Sequence, residues 1–144
     1  MAETCCSGGN VVMILACSGC SNTGQLSNQA AVELTREGFG KMFCLAGIGG
    51  KLPGFVQSVK DAPIVVVIDG CPMGCAKAIL EDIHVPLKHY LVITDEGIEK
   101  NKNLQLERSD IDRVKAAVKR IADKKEPSAA PETKGVSGCG CTEC

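Results

Sequence analysis

Aromatic residues are scarce: the 144-residue chain has no Trp, one Tyr and three Phe. With no basic stripe interleaved with aromatics, nothing offers the stacking and phosphate contacts that hold nucleic acid, so nucleic acid is not an indicated partner. Charge of one sign is also lacking. The formal net charge is -1 with both signs interspersed, which gives no attraction to a membrane surface. Long apolar runs are missing too. The run Val11 to Ala16 is too short for a signal h-region and far too short to span a bilayer, and no basic n-region precedes it between Met1 and Cys6. These absences lead us to expect a cytoplasmic protein whose thiols stay reduced.

Ample Val, Ile, Leu and Ala remain, enough for one domain with its own core. The chain also carries ten cysteines. Disulfides, metal or thiol chemistry must account for so many, and a reducing compartment makes disulfides the weakest of the three.

Strand and helix patterns alternate. The apolar run Val11 to Ala16 reads as a strand, and Leu26, Ala30, Ala31 and Leu34 follow at helical spacing, with Asn22 or Thr23 as the expected N-cap. Lys41 to Ala46 gives a second strand, leading through Gly47 to Gly50 into a short helix bearing Phe55, Val56 and Val59. Ile64 to Ile68, rich in β-branched residues, is the strongest strand signal; Ala76, Ile79, Leu80 and Ile83 then mark a helix. Tyr90 to Ile93 is a fourth strand. After a polar stretch, Ser109 to Asp112 reads as a capping box opening a last helix with Ile111, Val114, Val118 and Ile121 on one face.

Strands that are apolar on both faces and joined through helices imply a parallel sheet covered on both sides. The expected fold is therefore α/β: three layers, a four-stranded parallel sheet in the order 2-1-3-4, and helices on both faces. Residues 10–125 form this domain. Residues 1–9 are a Cys-containing tail, and residues 126–144, rich in Ser, Ala, Pro, Glu and Gly, are expected to be a flexible linker ending in a Cys-rich tail.

In the order 2-1-3-4, strands 1 and 3 are neighbours at the point where the winding reverses, and ligands bind there in open α/β folds. Two cysteine pairs fall at the carboxyl ends of those strands: Cys17 with Cys20, and Cys71 with Cys75. Parallel neighbours lie about 4.8 Å apart, which brings the four sulfurs within reach of one tetrahedral ion at Zn–S distances of about 2.3 Å. Zinc is the default for such a donor set, and other soft metals remain open. The alternative is a thiol redox or sulfur- or selenium-transfer protein. It would use a low-pKa Cys at a helix N-terminus, with the tail cysteines as resolving thiols.

Cys44 is either a small buried residue or a substitute ligand. Asp69 is a candidate for orienting a ligand or water, and Lys77 for lowering thiolate pKa values. Cys5, Cys6, Cys139, Cys141 and Cys144 lie in polar tails. They suit a second soft metal, a metalloid or a redox tether. His84 and His89 are not at ligand spacing from any cysteine and are expected to be ordinary surface residues. The glycines from Gly47 to Gly50 lack the Lys-Ser/Thr of a P-loop and the full dinucleotide fingerprint. A low-molecular-weight phosphatase loop needs an Arg to clamp the oxyanion, but the corresponding offsets from Cys17, Cys20 and Cys71 hold Thr23, Leu26 and Lys77. No complete catalytic motif is present.

Three segments together, Ala16 to Ala31 around Cys17 and Cys20, Phe43 to Gly50, and Ile68 to Lys77 with its Asp69-Gly70-Cys71, resemble the DGC-domain family. The resemblance covers about residues 10 to 122 and finds the three motifs in the family's order. It implies a small prokaryotic cytosolic domain thought to bind zinc through its cysteines. Carried onto the matching positions, the ligand candidates are Cys17, Cys20, Cys71 and Cys75, with Cys44 in reserve. The resemblance implies a site and no reaction.

Overall fold

The structure, a computed structural model, describes residues 11–123. Its strands are β1 (Val12–Ala16), β2 (Lys41–Met42), β3 (Ile64–Asp69) and β4 (His89–Val92). Its helices are α1 (Asn22–Arg36), α2 (Leu45–Gly49), α3 (Pro53–Asp61), α4 (Cys75–Asp82) and α5 (Arg108–Ala122), with a 3-10 turn at Ile93–Glu96. All strand pairs are parallel, and the order is β2-β1-β3-β4 as expected. Val12 pairs with Ile64 and Ala16 with Ile68, so β1 and β3 end level with each other.

Alternation along the central strands builds two cores. Ile14, Ala16, Val66 and Ile68 face α1 and α5, where Leu26, Leu34, Val114 and Val118 complete one apolar cluster. Leu15 and Val67 face the other way, toward Ile48, Val59, Ala76 and Leu80 on α2, α3 and α4. This burial on both faces is why β1 and β3 read as unbroken apolar runs rather than alternating ones.

Three boundaries differ from expectation. Strand β2 stops at Met42, because Cys44 turns the chain and caps α2 through its sulfur, which accepts from Gly47 N at 3.3 Å. Helix α1 is capped by Ser21, whose hydroxyl accepts from Gly24 N at 3.2 Å, not by Asn22 or Thr23. Helix α5 begins at Arg108 with Glu107 as its N-cap, and no side chain caps it, so the Ser109 capping box is not formed.

A set of ion pairs joins α1 to α5. Arg108 donates to both carboxylate oxygens of Glu33 at 2.9 Å, and Lys115 reaches Glu33 at 3.0 Å and also pairs with Glu37. The Arg108 hydrogen bonds, then those from Gln29 and Lys115, hold the Glu33 carboxyl down at about 2. A carboxyl depressed in the folded state stabilises it above the ordinary value near 4.5 and loses that contribution as pH falls toward about 2. Arg108 faces solvent, so screening limits the contribution to about 1 kcal/mol. Glu33→Gln should therefore lower stability at pH 7 by about that amount and flatten the acid limb of a denaturant-monitored stability curve between about pH 4.5 and 2. An acid limb unchanged by the substitution would remove Glu33 as its source.

Candidate functional site

The carboxyl ends of β1 and β3 are locked together by backbone packing. Cys17 N–H donates to Ile68 O at 2.9 Å, which carries the strand pairing one residue past β1. The turn from Cys17 to Cys20 is then held from α1: Gln25 Nε2 donates to Gly19 O at 2.9 Å, and the Ser27 hydroxyl contacts Cys17 O.

On the β3 side, Gly70 rests on the first turn of α1. A Cβ on Gly70 would lie 2.7 Å from Gly24 N and from Thr23 C, and a Cβ on Gly24 would lie 2.7 Å from Gly19 N. Gly19, Gly24 and Gly70 thus stack main chain on main chain, which brings the two cysteine turns side by side.

Asp69 fixes the second turn. It is 1% exposed, and its Oδ1 accepts from Ala76 N at 2.9 Å while Oδ2 accepts from Lys77 N at 3.0 Å and from the Tyr90 hydroxyl at 3.0 Å. Burial and the Asp69 charge push the Tyr90 hydroxyl well above its ordinary pKa, so it remains a donor. Gly74, with φ of 64°, turns the chain so that Cys75 becomes the first residue of α4.

Asp69 thus holds the first turn of α4 by accepting from two of its N–H groups. The Lys77 backbone N–H serves Asp69, and its ammonium lies 3.8 Å from Glu81. Asp69→Asn should cost about 2 kcal/mol in a denaturant melt, because an amide turns one acceptor into a donor facing buried N–H or O–H groups. A loss below about 0.5 kcal/mol would show that the cap is dispensable.

A cavity of about 470 Å³ opens between the two turns, and Cys17, Cys20, Cys71 and Cys75 all line it. The predicted pairs therefore meet at one rim of the sheet. Cys17 and Cys71 are half-buried, while Cys20 and Cys75 are exposed. The Cys75 thiol is nonetheless pushed up in pKa, first by partial burial, then by the charges of Cys17, Asp69 and Cys71, and by a hydrogen bond with Cys17.

As the side chains stand, no three His, Cys, Asp or Glu groups among the described residues are grouped to hold a metal ion. The donor type does suit a soft ion. Each sulfur hangs on a single torsion with three staggered wells, so it reaches other positions over the cavity without backbone movement.

Cys44 is exposed and does not line this cavity, so it is neither the buried core residue nor the neighbouring spare ligand considered above. His84 and His89 line a separate cavity of about 370 Å³ with Lys60 and Lys88, and His89 Nδ1 lies 2.9 Å from Ile121 O. The five tail cysteines lie outside the described residues.

Sequence reasoning missed the far wall. The segment following the 3-10 turn passes over the cavity, and Lys100 Nζ donates to Cys71 Sγ at 3.3 Å. Asn22, 8% exposed, pins it: its Nδ2 donates to Glu99 O at 2.8 Å, its Oδ1 accepts from Asn101 N at 2.7 Å, and its own N–H donates to Asn101 O at 3.1 Å. No local pattern marks this contact, because the partners are far apart in sequence.

Comparison with known proteins agrees with the motifs. No solved structure matches the chain. A curated relative, the anaerobic and virulence modulator AnvM of Pseudomonas aeruginosa, is 33% identical over 109 residues, covering 76% of this chain and 83% of the relative. Residues 13–118, which include both cysteine turns and the Asp69-Gly70-Cys71 that joins them to the sheet, match the DGC domain, and the chain belongs to that family.

Proposed function

We propose that this protein is a cytoplasmic metal-binding protein that holds zinc, or another soft metal, on the thiolates of Cys17, Cys20, Cys71 and Cys75. The observation that carries the reading is the shared cavity: four thiols from two distant segments line one space at the switch point of the sheet. Bound there, a divalent ion supplies a cross-link between the β1 and β3 turns and draws the thiols into their ionised form. The protein's part is positional. The glycine stack sets the distance between the turns, Gln25 holds the first and Asp69 the second.

Soft thiolate sites are sensitive to oxidants. That property suits a regulator working at low oxygen, and AnvM is by name an anaerobic and virulence modulator. Among the described residues no helix is long and apolar enough to cross a membrane, and a reducing compartment would keep the thiols available. The rival redox reading requires an easily ionised thiol at Cys17 or Cys71.

The test is anaerobic purification of the full chain, followed by metal analysis and thiol titration before and after chelation. It is repeated on a full chain with Cys5, Cys6, Cys139, Cys141 and Cys144 changed to Ser. We expect about one metal per chain in both, with about three or four thiols protected until the chelator is added, and a lower melting temperature afterwards. Metal-free protein with a rapidly alkylated thiol at Cys17 or Cys71 would defeat the metal reading in favour of thiol redox chemistry.

A further inference from the structure

The edge of the sheet opposite the cysteines carries the second cavity, about 370 Å³, where β3 and β4 begin. That volume falls within the range of about 300–1,000 Å³ that small ligands occupy. Val59 and Val85, both buried, line it with Pro63 and Pro86, which gives it an apolar part and stiff loop walls. Its polar side chains share one character. Lys60 comes from the last turn of α3, His84 from the residue just past the end of α4, Lys88 from the loop that follows and His89 from the start of β4. Among the described residues no carboxylate lines this space. The acids beside them in sequence are engaged elsewhere: Asp61 accepts from Gln57 at 2.8 Å and lines a different cavity, and Asp82 pairs with Lys51 at 2.8 Å.

Helix C-termini attract cations by themselves. That accounts for Lys60 at the end of α3, and for His89, whose Nδ1 faces Ile121 O in the last turn of α5 at 2.9 Å. It does not account for Lys88, which lies in no helix, nor for the choice of histidine at 84. Helix α4 ends with Val85 N–H donating to Leu80 O at 3.0 Å and His84 N–H donating to Glu81 O at 3.1 Å. These two bonds form a Schellman motif, and they put residue 84 in the left-handed region with φ of 59°. Glycine is the usual residue there, because a Cβ is strained in that conformation. Leu80 and Val85 already supply the apolar contact that completes the motif. The imidazole is thus held on a strained backbone that needs no side chain, at a cavity it shares with two lysines.

The charges select a ligand. Two lysines supply two positive charges and the imidazole supplies an N–H donor, while a phosphate monoester near pH 7 carries about two negative charges and three acceptor oxygens. We infer that this cavity binds a small organic phosphate, its phosphate group held by Lys60, His84 and Lys88 and its organic part resting on the two valines and two prolines. The site stands apart from the metal reading, since it lies at the other end of the strands and uses no cysteine.

Phenyl phosphate is the probe, titrated into the full chain by calorimetry near pH 7. We expect saturable binding at one site per chain, with half-saturation below about 1 mM, and no binding of phenol, which lacks the charge. Lys60→Gln and Lys88→Gln should each need about tenfold more phenyl phosphate for half-saturation. His84→Gly separates a ligand contact from a helix cap. Its unliganded melting temperature should rise by about 3 °C as the cap relaxes, while its affinity falls about tenfold. Lys102→Gln, at the cysteine cavity, should bind as the parent does.

Absence of saturable binding below about 10 mM would overturn the inference. So would unchanged affinity in the variants at 60, 84 and 88. A loss confined to Lys102→Gln would place the anion at the cysteine rim and overturn it equally.

Discussion

Gly70→Ala is expected to cost about 3 kcal/mol and to part the two cysteine turns. The added methyl group would meet main-chain atoms, Gly24 N and Thr23 C, both at 2.7 Å. Neither can swing aside as a side chain would. Gly24 in turn abuts Gly19, so relief requires moving the start of α1 away from β3, and Cys17 with Cys20 would go with it. Equilibrium denaturation gives the stability, and metal content after anaerobic purification reports whether the turns still meet. Gly54→Ala is the control: that glycine lies in α3 with open space around its Cβ position. The change there should be neutral or stabilising by about 0.5 kcal/mol. Equal behaviour of the two variants would show that the close approach at Gly70 does not constrain the fold.

The stacked glycines also explain what the sequence could and could not reveal. The order of the strands followed from two-sided apolar runs such as Ile64 to Ile68, because burial on both faces leaves no alternation and demands helices above and below. The meeting of Cys17 with Cys75 followed from that order. The second strand was over-read because Phe43 and Leu45 are apolar and contiguous with Met42. Their side chains belong to the core beneath α2, α3 and α4, and a sulfur cap at Cys44 turns the chain between them. The capping box at Ser109 failed for a different reason. Arg108 is drawn into α5 by its bonds to Glu33 and Asp112, and the helix starts two residues earlier than local chemistry prefers.

Asp69 is the more instructive case. Beside cysteines it reads as part of a ligand shell, yet its oxygens are occupied by Ala76, Lys77 and Tyr90. The Asp-Gly-Cys motif thus joins three separate demands: an acceptor to start α4, a residue without a side chain to lie on Gly24, and a thiol to enter the cavity. Only the third is chemistry; the first two are what place it.

Cys71→Ser should weaken zinc or cobalt binding by about 100-fold or more while shifting the stability of the metal-free protein by less than about 0.5 kcal/mol. The two halves of this expectation have separate causes. Serine is nearly isosteric, and Cys71 is only half-buried with no role in either apolar core, so the fold has little to lose. The proposed metal site would lose a soft donor, since a hydroxyl does not ionise near neutral pH and binds zinc poorly beside thiolates. It also leaves Lys100, which lies 3.3 Å from that sulfur, facing a neutral group beside a cation. Cys44→Ser, changed in the same way outside the cavity, should leave affinity within about twofold. Competition against a chromophoric chelator measures all three proteins, with the tail cysteines changed to Ser in each so that they cannot mask a loss in the core. If Cys71→Ser bound as tightly as the parent, the sulfur beside Lys100 would not be a ligand, and the shared rim of β1 and β3 would need another explanation for its cysteines.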